Sequence, residues 1–165
     1  MTWTAPAFVA QMKADLDADP ILSALVPTLK VFTYWPSTED RSTDAIILHR
    51  VRPGALESAA IGDENRSKDD IYTVEGQVEV LRAGAGEDVA AEVNNRVVEI
   101  FDRLLFVANE RPSAGPGTQT IRVRVGDMDY AQFPTTSGVQ NPTPVRVAVL
   151  AFGVEVRVRV KVAPS

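Results

Sequence analysis

A strict alternation of valine with charged residues near the C-terminus constrains the fold of this chain most. The stretch GVEVRVRVKV, residues 153–162, places a valine at every even position from 154 to 162. Successive side chains of a β-strand point to opposite faces, so one face of this segment is all valine. The valine face predicts a strand above a hydrophobic core. The other face is a mostly basic row of Arg157, Arg159 and Lys161 after Glu155, which could meet nucleic acid, an acidic strand or a neighbouring subunit.

The same strand is predicted to begin at Val145, where the valines occupy odd positions up to 149. Because the valine positions change from odd to even, both halves can face one core only if the strand slips by one residue. We therefore predict a β-bulge near Gly153.

Hydrophobic periodicity predicts an α+β fold, with a mostly antiparallel β-sheet packed against one long amphipathic helix. A short helical region precedes the sheet: Thr4 is a candidate cap for a first helix, and Asp19-Pro20 begins a second turn. Strands are predicted at residues 29–34, 45–52, 71–81, 119–125 and 145–162.

The long helix is predicted from Glu87 to about Val107, because apolar residues recur there at helical spacing. Two pairs of opposite charge at i,i+4 spacing, Glu92 with Arg96 and Glu99 with Arg103, are expected on its solvent side. The preceding Gly84-x-Gly86 lacks the third glycine of a dinucleotide-binding fingerprint, since position 89 is valine. It predicts a plain turn between a strand and the helix.

Two long polar segments without clear periodicity are predicted as loops, at about residues 53–70 and 127–144, within a single domain spanning residues 1–165. Long loops are often functional or mobile. We hypothesise that the first loop orders on a partner, since it has few apolar anchors. Its candidate interface residues are Asp63, Glu64, Arg66, Lys68, Asp69 and Asp70.

Composition excludes several classes of protein. The chain of 165 residues is 45% hydrophobic, which suffices for a real core, and it contains no cysteine for a disulfide or a thiolate metal site. Its net charge of −5 argues against a general DNA binder. Neither a signal peptide nor an apolar run long enough for a membrane helix is expected.

No catalytic constellation emerges from the sequence, so an enzyme is not expected. His49 is the only histidine, and its mid-strand position indicates a packed or interfacial residue. The acidic residues do not follow the spacing of a calcium loop, so neither a metal nor another cofactor is predicted.

Several segments together resemble the tail terminator, or head-tail joining, proteins of long-tailed bacteriophages. They cover about residues 15–159 and read DADPILSALVPTLKVFTYWP, DAIILHRVRPG, IYTVEGQVEVLRAGAGEDVAAEVNNRVVEIFDRLL and VRVAVLAFGVEVRVRV. The resemblance implies a small α+β subunit that assembles, commonly as a hexamer, into a ring at the head-proximal end of the tail tube. The implied partners are the tube protein and the head connector, with DNA passing through the lumen. The implied location is the virion, after assembly in the bacterial cytoplasm.

Other functions stay open from the residues alone: another phage neck or minor tail component, a small-molecule or nucleic-acid binding module, or an enzyme. For the basic row we expect carboxylate partners, within the subunit or across a ring interface, since facing strands gain from opposite charges. Further interface candidates are Glu75, Glu79, Arg122, Arg124, Arg157, Arg159 and Lys161.

Overall fold

The computed structural model describes residues 3–37, 43–54, 57–59 and 67–161. Its elements are, in chain order, α1 (Ala5–Ala18), α2 (Pro20–Ser23), β1 (Leu29–Phe32), β2 (Asp44–Pro53), β3 (Glu57–Ala59), β4 (Ser67–Ala83), α3 (Glu87–Asn109), β5 (Thr118–Ser137) and β6 (Thr143–Lys161). The strands form one sheet in the order β1-β2-β4-β6-β5, with β3 also paired to β4. β1 and β2 run parallel, and the other pairs are antiparallel. The predicted α+β class is confirmed.

One face of the sheet carries the core, and we call it the helix face. β4 contributes Tyr72, Val74, Val78 and Val80. Of the valine row predicted on β6, Val154, Val156 and Val158 are buried beside them and Val160 is partly buried, whereas position 162 lies outside the described residues. α3 covers these strands with its buried residues Val93, Val97, Ile100, Phe101 and Leu104. Two aromatic contacts tie the layers together. The rings of Phe101 and Phe152 lie 5.9 Å apart, and those of Phe8 and Tyr72 lie 6.0 Å apart.

The bulge predicted near Gly153 is wrong. β4 and β6 pair without a register shift from Ser67 opposite Lys161 to Ala83 opposite Val145. Val145 and Val147 therefore lie on the opposite side of the sheet, which we call the open face, and they are nevertheless buried there. β6 lies between two long strands and stays regular, while the irregularities fall in β2, between Leu48 and Arg50, and in β5.

Both predicted loops are shorter than expected. β5 continues through residues 127–137 and pairs with β6 up to Ser137 opposite Thr143, so only residues 138–142 connect the two strands. The hydrogen-bonding edge of β6 supplies the strand conformation that the local pattern did not reveal. In the first segment, residues 57–59 pair with residues 67–69 of β4.

Buried carboxylates redirect several predicted polar contacts. Thr4 precedes α1 without a side-chain cap; its amide and hydroxyl both donate to Asp70 Oδ2 at 2.8 Å. The i,i+4 pairs expected on α3 are replaced by longer-range contacts. Arg96 contacts Asp44 and Glu99, Arg103 contacts Asp19, and Glu92 contacts Arg82. A buried carboxylate requires a cation, whereas an exposed one is well solvated by water.

Three further local predictions agree with the structure. α3 begins at Glu87 as expected and ends two residues later than predicted, and Asp19 caps α2 by accepting from Ile21 N and Leu22 N. Gly84 and Gly86 form the predicted turn, both at positive φ. Within the described ranges, no helix is long and apolar enough to span a bilayer.

Candidate assembly surface

A carboxylate shared by two arginines lies at one end of the open face. Asp69 of β4 is fully buried. Its Oδ2 accepts from Arg157 Nε at 2.6 Å, and its Oδ1 accepts from Arg159 Nε at 3.0 Å. The register explains the cluster, since Asp69 lies directly opposite Arg159 and Ile71 lies opposite Arg157. The expectation that the basic row meets a carboxylate is thus met within the chain.

Burial by itself would raise the pKa of the Asp69 carboxyl. The hydrogen bonds from Arg159 and Arg157, together with their positive charges, outweigh burial and lower this pKa below its ordinary value. Asp69 is therefore an anion in the folded chain at neutral pH, and it is shared by two arginines.

Two further arginines extend this positive region onto β5. Arg122 lies directly opposite Arg157 and Arg124 opposite Glu155, and both β5 arginines are exposed. Neither has an ion-pair partner in the part of the chain that the structure describes. Lys161 is exposed at the end of β6. We call Arg122, Arg124, Arg157, Arg159 and Lys161 the basic surface.

The carboxylates that the sequence suggested for the basic row lie elsewhere. Glu75 is opposite Gly153 on β6, and its partners are Arg52 at 2.6 Å and Arg50 at 3.7 Å on β2. Glu79 lies opposite Val149, where it is buried and accepts from Gln77 Nε2 at 3.1 Å. Opposite charges on the two strands were correctly identified, but their register was not.

The candidate residues from the first polar segment separate into three groups. Asp63, Glu64 and Arg66 lie outside the described residues. Lys68 is exposed on β4, and Asp69 and Asp70 are buried, with Asp70 held by Thr4. Asp69 and Asp70 are therefore structural parts of the subunit rather than loop residues that wait for a partner.

β5 is an edge of the sheet, with β6 as its neighbouring strand on one side. Three large apolar side chains are exposed along its second half: Met128 is 62% accessible, Tyr130 42% and Phe133 44%. The sequence does not predict this surface, because the polar residues around it favour a loop. Its signal was the run of apolar residues in MDYAQF within an otherwise polar stretch.

The outer side of α3 forms a second surface, and it is acidic. Arg96 and Arg103 contact the buried Asp44 and Asp19, and Arg96 also pairs with the exposed Glu99. Val98 and Phe106 lie among the exposed carboxylates, at 48% and 49% exposure. We call this surface the acidic helix face. Its exposed acids are Glu87, Asp88, Glu92, Glu99, Asp102 and Glu110.

His49 and the buried acidic side chains of the described residues have structural contacts. The His49 ring stacks on Trp35, with centroids 4.7 Å apart, as a packed strand residue. Among the described residues no three side chains of the metal-binding types are grouped to hold an ion. A shallow cleft of about 200 Å³ lies on the open face near Gly126 and Gly153, lined by Arg124, Asp127 and Glu155. Charges of both signs surround the backbone of Gly126 and Gly153 in this cleft.

The comparison with known proteins found similarity among solved structures. No family model matches the chain, and no curated protein matches it. Among solved structures, the chain is similar to a chain from the virion of a native gene transfer agent particle. The two share 17% identity, with a TM-score of 0.47, over 95% of this chain and 99% of the other.

Proposed function

We propose that this chain is a non-enzymatic structural subunit of a phage tail. In this proposal the subunits form a hexameric ring that caps the tail tube at its head-proximal end. The ring also joins the tube to the head connector, and DNA passes through the lumen without specific binding. The sequence resemblance described above motivates the proposal.

The exposed edge of β5 is the observation that carries the proposal. A strand of 20 residues at a sheet edge leaves one side of its backbone donors and acceptors free for another chain. Soluble monomers commonly protect such an edge with lysines, prolines or bulges. Residues 127–137 contain neither lysine nor arginine, and their protection is limited to Pro134 and the register break beside Asp129. Exposed Met128, Tyr130 and Phe133 add apolar area that favours burial in a contact.

A ring requires the β5 edge to contact a different surface of the next copy rather than a second β5 edge. β5 forms one end of the sheet, and the short β1 of 4 residues forms the other. A contact between the β5 edge and a different surface of the next copy is heterologous. Such contacts form rings when the rotation closes and filaments when it does not.

Oligomer size tests the proposal directly. The full chain, studied by light scattering and negative-stain electron microscopy over a range of concentrations, is expected to form closed rings. Replacing Met128 and Phe133 with serine should shift the population to monomers. Replacing Ile21 with serine is the control, because Ile21 is similarly exposed (48%) but lies on α2.

Two outcomes would contradict the proposed ring. One is a wild-type chain that stays monomeric at all concentrations and does not bind to the ends of purified tail tubes. The other is assembly of the β5 double variant at wild-type concentrations. Rings that bind along the tube or at its distal end would instead favour another neck or minor tail component.

A further inference from the structure

Two arginines of the basic surface lie directly opposite each other on neighbouring strands. Arg122 and Arg157 are direct cross-strand partners, and like charges at such positions are destabilising. Asp69 binds Arg157 and Arg159. Arg122 and Arg124 have no ion pair among the described residues, and Glu155 lies opposite Arg124. A surface of this kind gains stability when an acidic partner covers it.

The acidic helix face carries carboxylates that lack cations of their own. Glu99 has Arg96 at 3.2 Å, but Arg96 also contacts the buried Asp44. Asp102 is exposed and has no ion pair within the described residues. The two exposed apolar residues Val98 and Phe106 border this pair of acids, as Met128 and Phe133 follow the arginines on β5.

The two surfaces cannot neutralise each other within one subunit. α3 packs on the helix face, whereas the basic surface lies on the open face, on the opposite side of the sheet. Their spacings nevertheless match. Arg122 and Arg124 are alternate residues of a strand, about 6.6 Å apart, and helix positions three apart, such as 99 and 102, lie about 5–6 Å apart.

We propose that the basic surface of one subunit binds the acidic helix face of a second copy, with Glu99 and Asp102 against Arg122 and Arg124. Val98 and Phe106 of that copy, spaced four residues on either side of Asp102 along α3, then become buried in the same contact. The contact is heterologous and places each subunit's α3 on the next subunit's open face. This inference rests on the proposed ring and specifies its interface.

Duplex DNA is the competing occupant of the basic surface. A chain of net charge −5 repels a polyanion at long range, and a strong phosphate grip would hinder DNA moving through a lumen. A second copy meets neither objection, because its acids lie on one helix beside apolar residues that also become buried.

A charge-swap experiment tests the pairing. The double variants R122E/R124E and E99K/D102K should each raise the concentration at half-assembly by about tenfold or more, because like charges then face each other. The quadruple variant, which reverses both sides, should recover assembly to within about threefold of wild type. Thermal unfolding of each variant's monomer confirms that the chain still folds.

Matched controls separate the interface from net charge. D15K/D17K changes the net charge as much as E99K/D102K does, but on α1, and it should assemble like wild type. If both double variants formed rings at the same concentrations as wild type, this inference would be overturned and the proposed ring would stay intact. Rings intact in R122E/R124E, with loss of a salt-sensitive wild-type affinity for duplex DNA, would overturn it in favour of nucleic acid. A wild-type chain that never assembles would overturn both proposals.

Discussion

Arg103 of α3 holds the carboxylate of Asp19, 84 positions earlier in the chain, with Nε 2.8 Å from Oδ2. The same carboxylate caps α2 by accepting from Ile21 N at 3.1 Å and Leu22 N at 3.0 Å. Asp19 is 6% exposed, so little water would replace these partners. One side chain therefore both begins α2 and fixes it against the long helix.

Replacing Asp19 with alanine should lower the free energy of unfolding by about 2–3 kcal/mol, since it removes a helix cap and leaves Arg103 without its anion. Urea denaturation measures the loss. Asp17→Ala is the matched control, because its side chain is 47% exposed and pairs only with Lys13, so it should cost less than about 0.5 kcal/mol. Equal losses for the two variants would contradict the capping role.

Replacing Asp69 with asparagine should cost about 2–3 kcal/mol at neutral pH, because the two charge-assisted hydrogen bonds from Arg157 and Arg159 are weakened. The pKa of Asp69 is lowered in the fold. Its contribution is therefore fully present above the unfolded pKa of about 3.9 and is lost as the pH falls through the lower, folded pKa.

The difference in stability between wild type and Asp69→Asn should accordingly be constant near neutral pH and shrink in acid. Denaturation curves at several pH values between neutrality and about pH 3 measure this difference. Asp129→Asn, an exposed aspartate on β5, serves as the control and should show little difference from wild type at neutral pH. A difference for Asp69→Asn that persists unchanged into acid would exclude the ionised carboxylate as its source.

Periodicity made some of the fold predictable and left other parts hidden. The stripe on α3 and the even-numbered valines of β6 were evident because burial on one face imposes a regular spacing on the sequence. The β5 extension from residue 127 was not, since its strand conformation comes from pairing with β6 rather than from its own pattern. An edge strand exposed on both faces carries little hydrophobic signal.

The sequence predicted that the basic row meets a carboxylate, but not which carboxylate. A basic row that needs a carboxylate follows from the alternation of Arg157 and Arg159 with valine. The choice of Asp69 over Glu75 depends on the register of β4 against β6, which the sequence does not encode locally. Buried aspartates such as Asp44 and Asp69 also look like surface residues until their arginines are found.

Adjacent valines on α3 give a clean test of which side of the helix is buried. Val97 is fully buried and Val98 is 48% exposed. Val97→Ala should cost about 2 kcal/mol through lost burial and a cavity, whereas Val98→Ala should stay within about 0.5 kcal/mol of wild type. Phe101→Ala and Leu104→Ala, measured in the same way, should cost about 2–5 kcal/mol.

If Val97→Ala and Val98→Ala destabilised the monomer equally, the packing of α3 on the core described above would be wrong. For assembly, in contrast to stability, position 98 should matter more than position 97. Val98→Ala should weaken assembly although the subunit keeps its stability, since Val98 lies on the acidic helix face. Sedimentation velocity on the same samples separates the two effects.

Gly76 of β4 is predicted to tolerate no side chain. A Cβ at this position would lie 2.8 Å from the backbone oxygen of Ile47 and 2.8 Å from Cζ of Phe152. The oxygen belongs to the paired strand β2, and the Phe152 ring is buried against Phe101, so neither can withdraw freely. Gly76→Ala should therefore destabilise the subunit by about 1–3 kcal/mol through overpacking.

Gly126 of β5 is the matched control, because a Cβ there would meet nothing within 4 Å. Gly126→Ala should leave stability unchanged or raise it by up to about 1 kcal/mol, since it reduces the freedom of the unfolded chain. Urea denaturation of the two variants measures the contrast. If Gly76→Ala were as stable as Gly126→Ala, the close packing of β2, β4 and Phe152 described above would be wrong.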